Sequence, residues 1–500
     1  MRASERSRTG WAAPLCALCC ATLLALQAGG ARAQTATKAE GQALTRNDFS
    51  IDLVTGPIVG PNRVVSLAGA YTALGYGIDN AAITPAAYGA RTLWDTRWVE
   101  WDATLDYSPG AFRHTDFDNN GISGVTNTDF LFVTGGASIM IGEVGLGALV
   151  RLQNYRIGKS AQLNLVLANY GACYALLDGQ LLIGASARTA VLSITETAVQ
   201  KELVNFTGTG PEVGAVLGLE EVPFRVGLAA RSGVTSAQDN RAHTVYGLTL
   251  PRSVSLPPEL QLGFAYQLGD RPLNRRWINP HDRERELRAI MLARRRVRLR
   301  EQLDTELADE RLRRALDTAP PSASRFELAF DDEDELMPQP RDPEFWQAEA
   351  KLREREERQL QQDMELETSR YRAGLRALSR KYILLSADAV LIGPTDDGVG
   401  FESFLSQIRQ VSGANPSFAA RFGAEGEPIQ NRLKLRVGGY MEPSRFAEGS
   451  TRLHATMGFD LRLFAFDMFG LVDEFDLRIT AALDVAQRYR NFGFSVGIWH

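Results

Sequence analysis

From residue 97 to the C terminus, most of the chain alternates apolar and polar residues in runs of roughly ten to fifteen, separated by turn-rich stretches. A repeat of two is the signature of a β-strand and places the two residue classes on opposite faces. In 431–440, Leu433, Leu435 and Val437 share one face, and Arg432, Lys434 and Arg436 share the other. In 451–464, Leu453, Ala455, Met457, Phe459, Leu461 and Leu463 alternate with Arg452, His454, Asp460 and Arg462. A soluble sandwich with polar residues outside would give this pattern, and so would a membrane barrel with polar residues inside. Strand length separates the two. Globular strands run about five or six residues, whereas tilted membrane strands need about nine to eleven. Many runs here reach the longer figure.

The segments that qualify are 97–108, 128–141, 143–154, 160–175, 180–196, 209–220, 223–232, 258–268, 381–392, 415–424, 432–441, 451–465, 474–487 and 489–500. That is about fourteen, and single-chain bacterial barrels use even numbers. After the amino terminus no run of eighteen apolar residues occurs, so no spanning helix is expected. The predicted fold is an all-β transmembrane barrel of about fourteen antiparallel strands in the bacterial outer membrane. Slipping 431–440 by one residue would turn three cations toward lipid, at about 2–4 kcal/mol each near the midplane. Trp94, Trp98, Trp101 and Tyr107 read either as interface aromatics or as buried core.

The first 33 residues read as a secretory signal peptide. Arg2, Arg6 and Arg8 precede an apolar run over 11–26, and Ala31-Arg32-Ala33 supplies a cleavage pattern. A lipid anchor at Cys16 or Cys20 is the alternative, but neither has leucine three positions earlier. Removal of 1–33 leaves Cys173 alone, which excludes an internal disulfide and a thiolate metal cluster. A net charge of −5 argues neither for nor against nucleic acid.

Residues 34–96 read as a plug, or hatch, wrapped by the barrel. In 63–90, small residues Ser66, Gly69, Ala73 and Gly77 recur at helical spacing, so the first half reads as a short helix that admits another backbone closely. A polar turn follows, ended by Thr84-Pro85-Ala86, where proline stops helix continuation. Strands one to eight occupy 97–270 and strands nine to fourteen 381–500. In the last strand Phe492, Phe494, Val496 and Ile498 share a face, as expected of a strand read by the barrel assembly machinery. Trp499 is penultimate and His500 last.

Residues 271–380 are dense in both signs of charge. They read as a helical hairpin, with helices over 281–316 and 343–382, each about 54 Å long at 1.5 Å per residue. Leu287, Ile290, Leu299, Leu303 and Leu307 form a sparse apolar stripe on the first. The acidic run 331–335 and the prolines around it read as the connection. Counting strands back from a periplasmic C terminus places this insert in the periplasm and makes 109–127, 233–257 and 395–414 outward loops.

Five stretches resemble the FadL-like outer-membrane transport proteins, which pass long-chain fatty acids and other hydrophobic molecules. SLAGAYTAL at 66–74 with DNAAITPAA at 79–87 resembles the family's small-residue helix and Asn-Pro-Ala hatch. LPPELQLGFAYQL at 256–268, PFRVGLAARS at 223–232 and LRVGGYMEP at 435–443 resemble its strands. The likeness covers most of 48–268 and 381–500. Thr84 stands where the hatch asparagine is expected, and the 271–380 insert replaces a short turn. The resemblance implies a fourteen-stranded barrel closed by an amino-terminal hatch. It also implies passive uptake of apolar ligands, with release sideways into the bilayer.

Little in the sequence points to chemistry. The histidines are His114, His243, His281, His454 and His500; His454 faces the lumen and reads as a solvated lumen residue. GxSxG, HExxH and GxxxxGK[ST] motifs are missing, so neither an enzyme nor a cofactor is expected. Residues 116–121, DFDNNG, echo a calcium loop but lack its distal glutamate, and no metal is assigned. The basic cluster at 294–300 reads as ion-paired or headgroup-facing, not as a nucleic-acid site. The candidate ligand path is Tyr71, Asp79, Asn80, Thr84 and Pro85. Two functions are open: a transporter of hydrophobic molecules, or a barrel that anchors the 271–380 hairpin for a periplasmic partner or the cell wall.

Overall fold

The computed structural model describes residues 42–109, 116–121, 130–158, 160–238, 244–318, 343–447, 449–466 and 475–499. The signal-peptide segment 1–33, the acidic run 331–335 and His500 lie outside the described residues, as do the side chains of Leu299, Leu303 and Leu307.

Fourteen antiparallel strands close into a barrel. They are β1 Val99–Pro109, β2 Leu131–Ile141, β3 Val144–Ile157, β4 Ala161–Leu176, β5 Leu181–Glu196, β6 Glu202–Leu217 and β7 Phe224–Arg231. β8 Glu259–Gly269, β9 Tyr382–Ile392, β10 Ser417–Ile429, β11 Leu433–Glu442, β12 Arg452–Phe466, β13 Phe475–Ala486 and β14 Tyr489–Ile498 follow. Each strand pairs with its chain neighbours, and β14 returns to β1 through Phe494↔Tyr107 to Gly497↔Thr104. Every segment marked in the sequence corresponds to one strand. The largest boundary correction is β6, which begins at Glu202 and not at 209. Gly208-Thr209-Gly210-Pro211 looks like a turn but sits in the ladder opposite β5. Proline is tolerated there because pairing with β7 starts only at Glu212.

The faces separate as a barrel in lipid requires. Leu105, Leu146, Leu262, Phe422 and Leu453 are exposed on the outer wall, the last at 69 %. Apolar exposure on this scale, carried round the wall, is untenable in water. Lys434, Arg436, His454 and Asp460 face inward and are buried. Tyr107 and Trp101 lie on the outward register of β1, and Trp98 packs near Trp277, ring centroids 6.5 Å apart.

One sector reverses the rule near its end. On β3 to β6, Tyr155, Leu163, Leu165, Leu192, Ile194 and Phe206 point inward and are buried, while Asn154, Gln162, Asn164 and Asn205 face outward. Asn154 Nδ2 donates to Asn164 Oδ1 at 2.6 Å along that outer face. The strands therefore continue past the lipid belt, where water surrounds the wall and apolar residues turn in.

The two ends of the barrel differ. One has the short β2–β3 and β4–β5 turns and the β14 terminus, and the chain departs there from Gly269 and returns at Tyr382. At the other end, stretches expected as outward loops build structure together with 50–52. Val234–Ala237, Ser253–Leu256, Ser50–Asp52 and Gly398–Val399 form a four-stranded sheet. Asp52, fully buried, locks it by accepting from Arg445 Nε at 2.6 Å and Ser412 Oγ at 2.9 Å.

Residues 278–377 form a second compact unit. It holds α2, Pro280–Thr318, and α3, Pro343–Arg376. Arg288 pairs with Glu357 at 3.4 Å and Arg283 lies over the Tyr371 ring at 3.2 Å, which makes the two helices antiparallel. The second helix stops before 382 because Tyr382 opens β9.

Candidate functional site

The expected helix in the first half of 63–90 is only α1, Asn62–Ser66. It ends because Ala68 and Gly69 take positive φ, and their N–H groups return to Val65 O at 3.0 Å and Val64 O at 2.9 Å. That is a Schellman closure. The chain then crosses the lumen as turns and two short 3₁₀ segments, Ile78–Ala82 and Pro85–Gly89. The small residues serve this close passage and not a long helix.

What admits the segment is a collar of inward glycines. An added Cβ at Gly145 would lie 1.9 Å from Tyr88 O, at Gly184 2.4 Å from Pro85 C, and at Gly214 2.2 Å from Thr84 Oγ1. At Gly227 it would lie 2.2 Å from Thr72 O, at Gly423 2.5 Å from Leu67 Cγ, and at Gly458 2.5 Å from Ser66 Cβ. Any side chain at these positions would occupy space the 62–90 segment already fills. The sequence signal was available: apolar-Gly-apolar triplets recur strand after strand, with Gly at an inward position.

Wall charges satisfy the segment's backbone, which has no ladder of its own. Asp388 Oδ2 on β9 accepts from Tyr71 N at 3.0 Å, Thr72 N at 2.9 Å and Thr72 Oγ1 at 2.6 Å. Asp102 on β1 accepts from Ile78 N at 2.7 Å, and Asp106 from Asn62 N at 2.7 Å. Arginines serve the carbonyls: Arg225 donates to Leu74 O at 2.8 Å and Arg231 to Ala82 O at 3.2 Å.

All five residues marked in the sequence are buried in this segment. Tyr71 and Asn80 meet, Asn80 Nδ2 donating to Tyr71 O at 3.2 Å. Asp79 accepts from Arg478 Nη2 at 2.8 Å and lies 4.0 Å from Arg63 Nη1. Thr84 and Pro85 stand apart from them, against β5 and β6. Thr84 Oγ1 caps the second 3₁₀ segment by accepting from Ala86 N at 3.3 Å, and Pro85 opens it.

Sequence reasoning missed the wall partners. Arg436 donates Nε to Glu425 at 2.6 Å and both terminal nitrogens to Asp460, at 2.7 and 2.6 Å. Arg478 and Arg63 approach the same Asp460 at 3.6 and 3.8 Å, which joins this cluster to Asp79. The reading of His454 as a solvated residue is corrected. It is buried, with Nε2 2.6 Å from Glu442, Nδ1 2.8 Å from Asp484, and its ring stacked on Tyr440. Such a histidine holds two carboxylates in place.

Cavities lie on both sides of the segment. Toward the short-turn end, a solvent-open cleft of about 650 Å³ is bounded by Tyr76, Ala90, Leu182, Val216, Arg225 and Trp277. Toward the loop end, one of about 320 Å³ lies among Val54, Ile392, Arg421, Tyr440 and Arg445. Next to it the inverted sector of β3 to β6 joins Phe49, Ile51, Phe117, Phe130, Phe401 and Phe404 in one apolar cluster.

No protein-family model and no curated protein matches the chain. Among solved structures it is similar to the CymD monoaromatic hydrocarbon channel, at 10 % identity and a TM-score of 0.44, covering 89 % of this chain and 97 % of that one. A FadL homologue from Pseudomonas aeruginosa gives 9 % identity and 0.42, covering 90 % and 99 %. The Ralstonia pickettii toluene transporter TbuX gives 11 % and 0.40, covering 89 % and 98 %. At about a tenth identity, none of them transfers a ligand to this chain.

Proposed function

We propose that this chain is a FadL-like channel of the bacterial outer membrane, through which hydrophobic molecules such as long-chain fatty acids pass without energy input. The observation that carries the reading is the apolar inner lining of the barrel's loop end. A channel for ions or sugars needs a polar wall there; here Tyr155, Leu163, Leu165, Leu192 and Phe206 pack against Phe49, Ile51, Phe117, Phe401 and Phe404, and only an apolar guest can take the place of those side chains on this lining. Short turns mark the periplasmic end and longer connections the outer end, so this lining faces the outside of the cell. The 62–90 segment, with Tyr71, Asp79, Asn80, Thr84 and Pro85, is the hatch between that apolar end and the cleft at the short-turn end. It shifts to let a ligand by.

A single substitution tests the shift. Gly89 faces the native Cys173 on β4, and a Cβ at 89 would lie 3.0 Å from Cys173 Cβ and 2.6 Å from its Sγ. Disulfides favour a Cβ–Cβ separation of about 3.5–4.5 Å, so Gly89→Cys needs a movement of about half an ångström or slightly more to tie the segment to the wall. Uptake of a radiolabelled long-chain fatty acid by a deletion strain is expected to stop when the variant is oxidised and to return with reductant. Uptake unchanged by a complete cross-link would rule out a moving hatch.

The separate 278–377 unit favours a second reading, a barrel that anchors the hairpin for a periplasmic partner. Passage through the lumen gives no reason for a hundred charge-rich residues. Replacing 278–377 by a short turn is expected to leave the barrel folded and uptake intact. If uptake survives and pull-downs from cells lose no protein, the anchor reading fails.

A further inference from the structure

β8 and β9 are neighbours in the barrel, so a short turn would join them. They are joined instead through the 278–377 unit, and the two roots of that insert, 270–277 and 378–381, belong with the barrel. Leu273, Asn274 and Trp277 are only 2, 3 and 7 % exposed, although they stand at the short-turn end, where the wall meets water. Their partners are the hatch and the rim of the wall.

Arg225, at the start of β7, is forked between hatch and root. Its Nη1 donates to Leu74 O at 2.8 Å, its Nη2 to Leu273 O at 2.8 Å, and its Nε to Asn274 Oδ1 at 2.5 Å. Tyr76 Oη donates to the same Leu273 O at 3.2 Å, and the Tyr76 ring lies 4.5 Å from the guanidinium. Farther along the root, Arg275 donates to Leu93 O, and the Arg91 guanidinium stands 4.1 Å over the Trp277 ring. The returning root adds Arg380, 4.3 Å over the Trp94 ring and 3.6 Å from Glu427 on β10. Arg271, 3.5 Å over the Tyr382 ring, joins one root to the start of β9. The first root is also tied to the wall. Asn274 Nδ2 donates to Val222 O and Phe224 O at 2.7 and 2.9 Å, and Trp277 N donates to Asp178 O at 2.8 Å.

We propose that the roots of the insert form a clamp that holds the hatch at the short-turn end, and that a ligand passes only when 270–277 lets go of it. The proposal rests on the moving hatch of the preceding section. One strap holds two separate stretches of the hatch, 74–76 and 91–93, so neither shifts toward the cleft without breaking these contacts. The cleft of about 650 Å³ lies between them, lined by Tyr76, Ala90 and Leu93 of the hatch and by Asn274 and Trp277 of the strap. A ligand that has passed the hatch therefore meets the strap next. The contacts are also of a kind that can open. Their acceptors are the carbonyls of Leu74, Leu273 and Leu93 beside a cleft open to solvent, and water replaces such bonds at small net cost.

A cross-link in the full chain tests the clamp. An added Cβ at Gly179 would lie 3.6 Å from Trp277 Cβ, inside the range of about 3.5–4.5 Å that disulfides favour. Gly179 has a positive φ, but so do Leu177 and Asp178 in the same turn. In planar bilayers, and in fatty-acid uptake by a deletion strain, Gly179→Cys with Trp277→Cys is expected to fall silent on oxidation and recover with reductant. Tyr76→Phe removes only the hydroxyl and is expected to raise the open fraction about two- to tenfold, the worth of one hydrogen bond. Glu220→Gln removes an exposed contact with Arg276 and is expected to change nothing. Migration of the unheated protein in SDS gels shows that each variant is a folded barrel. Openings and uptake untouched by a complete cross-link overturn the clamp, and so does a Tyr76→Phe channel that opens as rarely as the wild type. If the Gly89→Cys cross-link blocks uptake and this one does not, the clamp alone is lost. If neither blocks it, the moving hatch falls as well.

Discussion

Gly145→Val is expected to keep the barrel and displace the hatch. Position 145 is inward on β3, where an added Cβ would stand 1.9 Å from Tyr88 O and 2.4 Å from Tyr88 C. The obstacle is backbone, so no side-chain rotamer relieves it. Valine suits a strand, and the outward neighbours Val144 and Leu146 keep their lipid contacts. The strain therefore falls on the 84–90 segment, which β3, β5 and β6 hold through further glycines. Overpacking of this kind costs about 1–3 kcal/mol and is relieved by movement of the less anchored partner. Planar-bilayer recordings are expected to change from rare openings to sustained conductance, while the unheated protein still migrates as a folded barrel in SDS gels. A folded variant whose conductance matches the wild type would mean that 62–90 does not close the lumen. The same substitution at Gly374, where a Cβ meets nothing within 4 Å, is expected to leave conductance unchanged.

The contrast between those two glycines also separates what the sequence makes legible from what it hides. Period two survives in every strand, so fourteen strands and their inward cations on β11 and β12 can be read directly. Alternation has no sign, however. Leu163, Leu165 and Leu167 alternate with Gln162, Asn164 and Val166 in the same way whichever face meets lipid, and only the closed barrel places these leucines inside. Strand partners are hidden for a different reason. His454 sits opposite Tyr440 because β11 and β12 pair in one register, and its carboxylates come from 12 and 30 positions away. Small residues in 63–90 signal close approach correctly, but the partner is a wall of glycines and not a helix. Composition and resemblance mark Tyr71, Asp79 and Thr84; Asp388, Arg231 and Arg478, which hold that segment, carry no local signal.

Arg436→Met is expected to be the most destabilising single change in the lumen. Arg436 is 1 % exposed and makes three short bonds, one to Glu425 and two to Asp460. Methionine fills the same volume without charge, so the loss isolates the ion pairs from packing. Two buried carboxylates would remain, with Tyr382 at 2.6 Å from Glu425, and Thr480 at 2.7 Å and the longer arginine contacts on Asp460. Breaking one side of a buried pair costs about 3–5 kcal/mol, because the other side stays desolvated. Arg462 gives the matched control. Its contact with Asp476 is also 2.6 Å, yet both side chains are about a quarter exposed. Water and salt screen such a pair, and Arg462→Met is expected to cost about 1 kcal/mol or less. Urea unfolding in lipid vesicles, followed by tryptophan fluorescence, measures both. Adding Glu425→Gln and Asp460→Asn to Arg436→Met removes the stranded charges and is expected to recover a large part of the loss. If the two arginine variants unfold at the same urea concentration, burial does not set the strength of these pairs. The charged layer around Asp79 would then be a lining of the lumen and not the seat of the hatch.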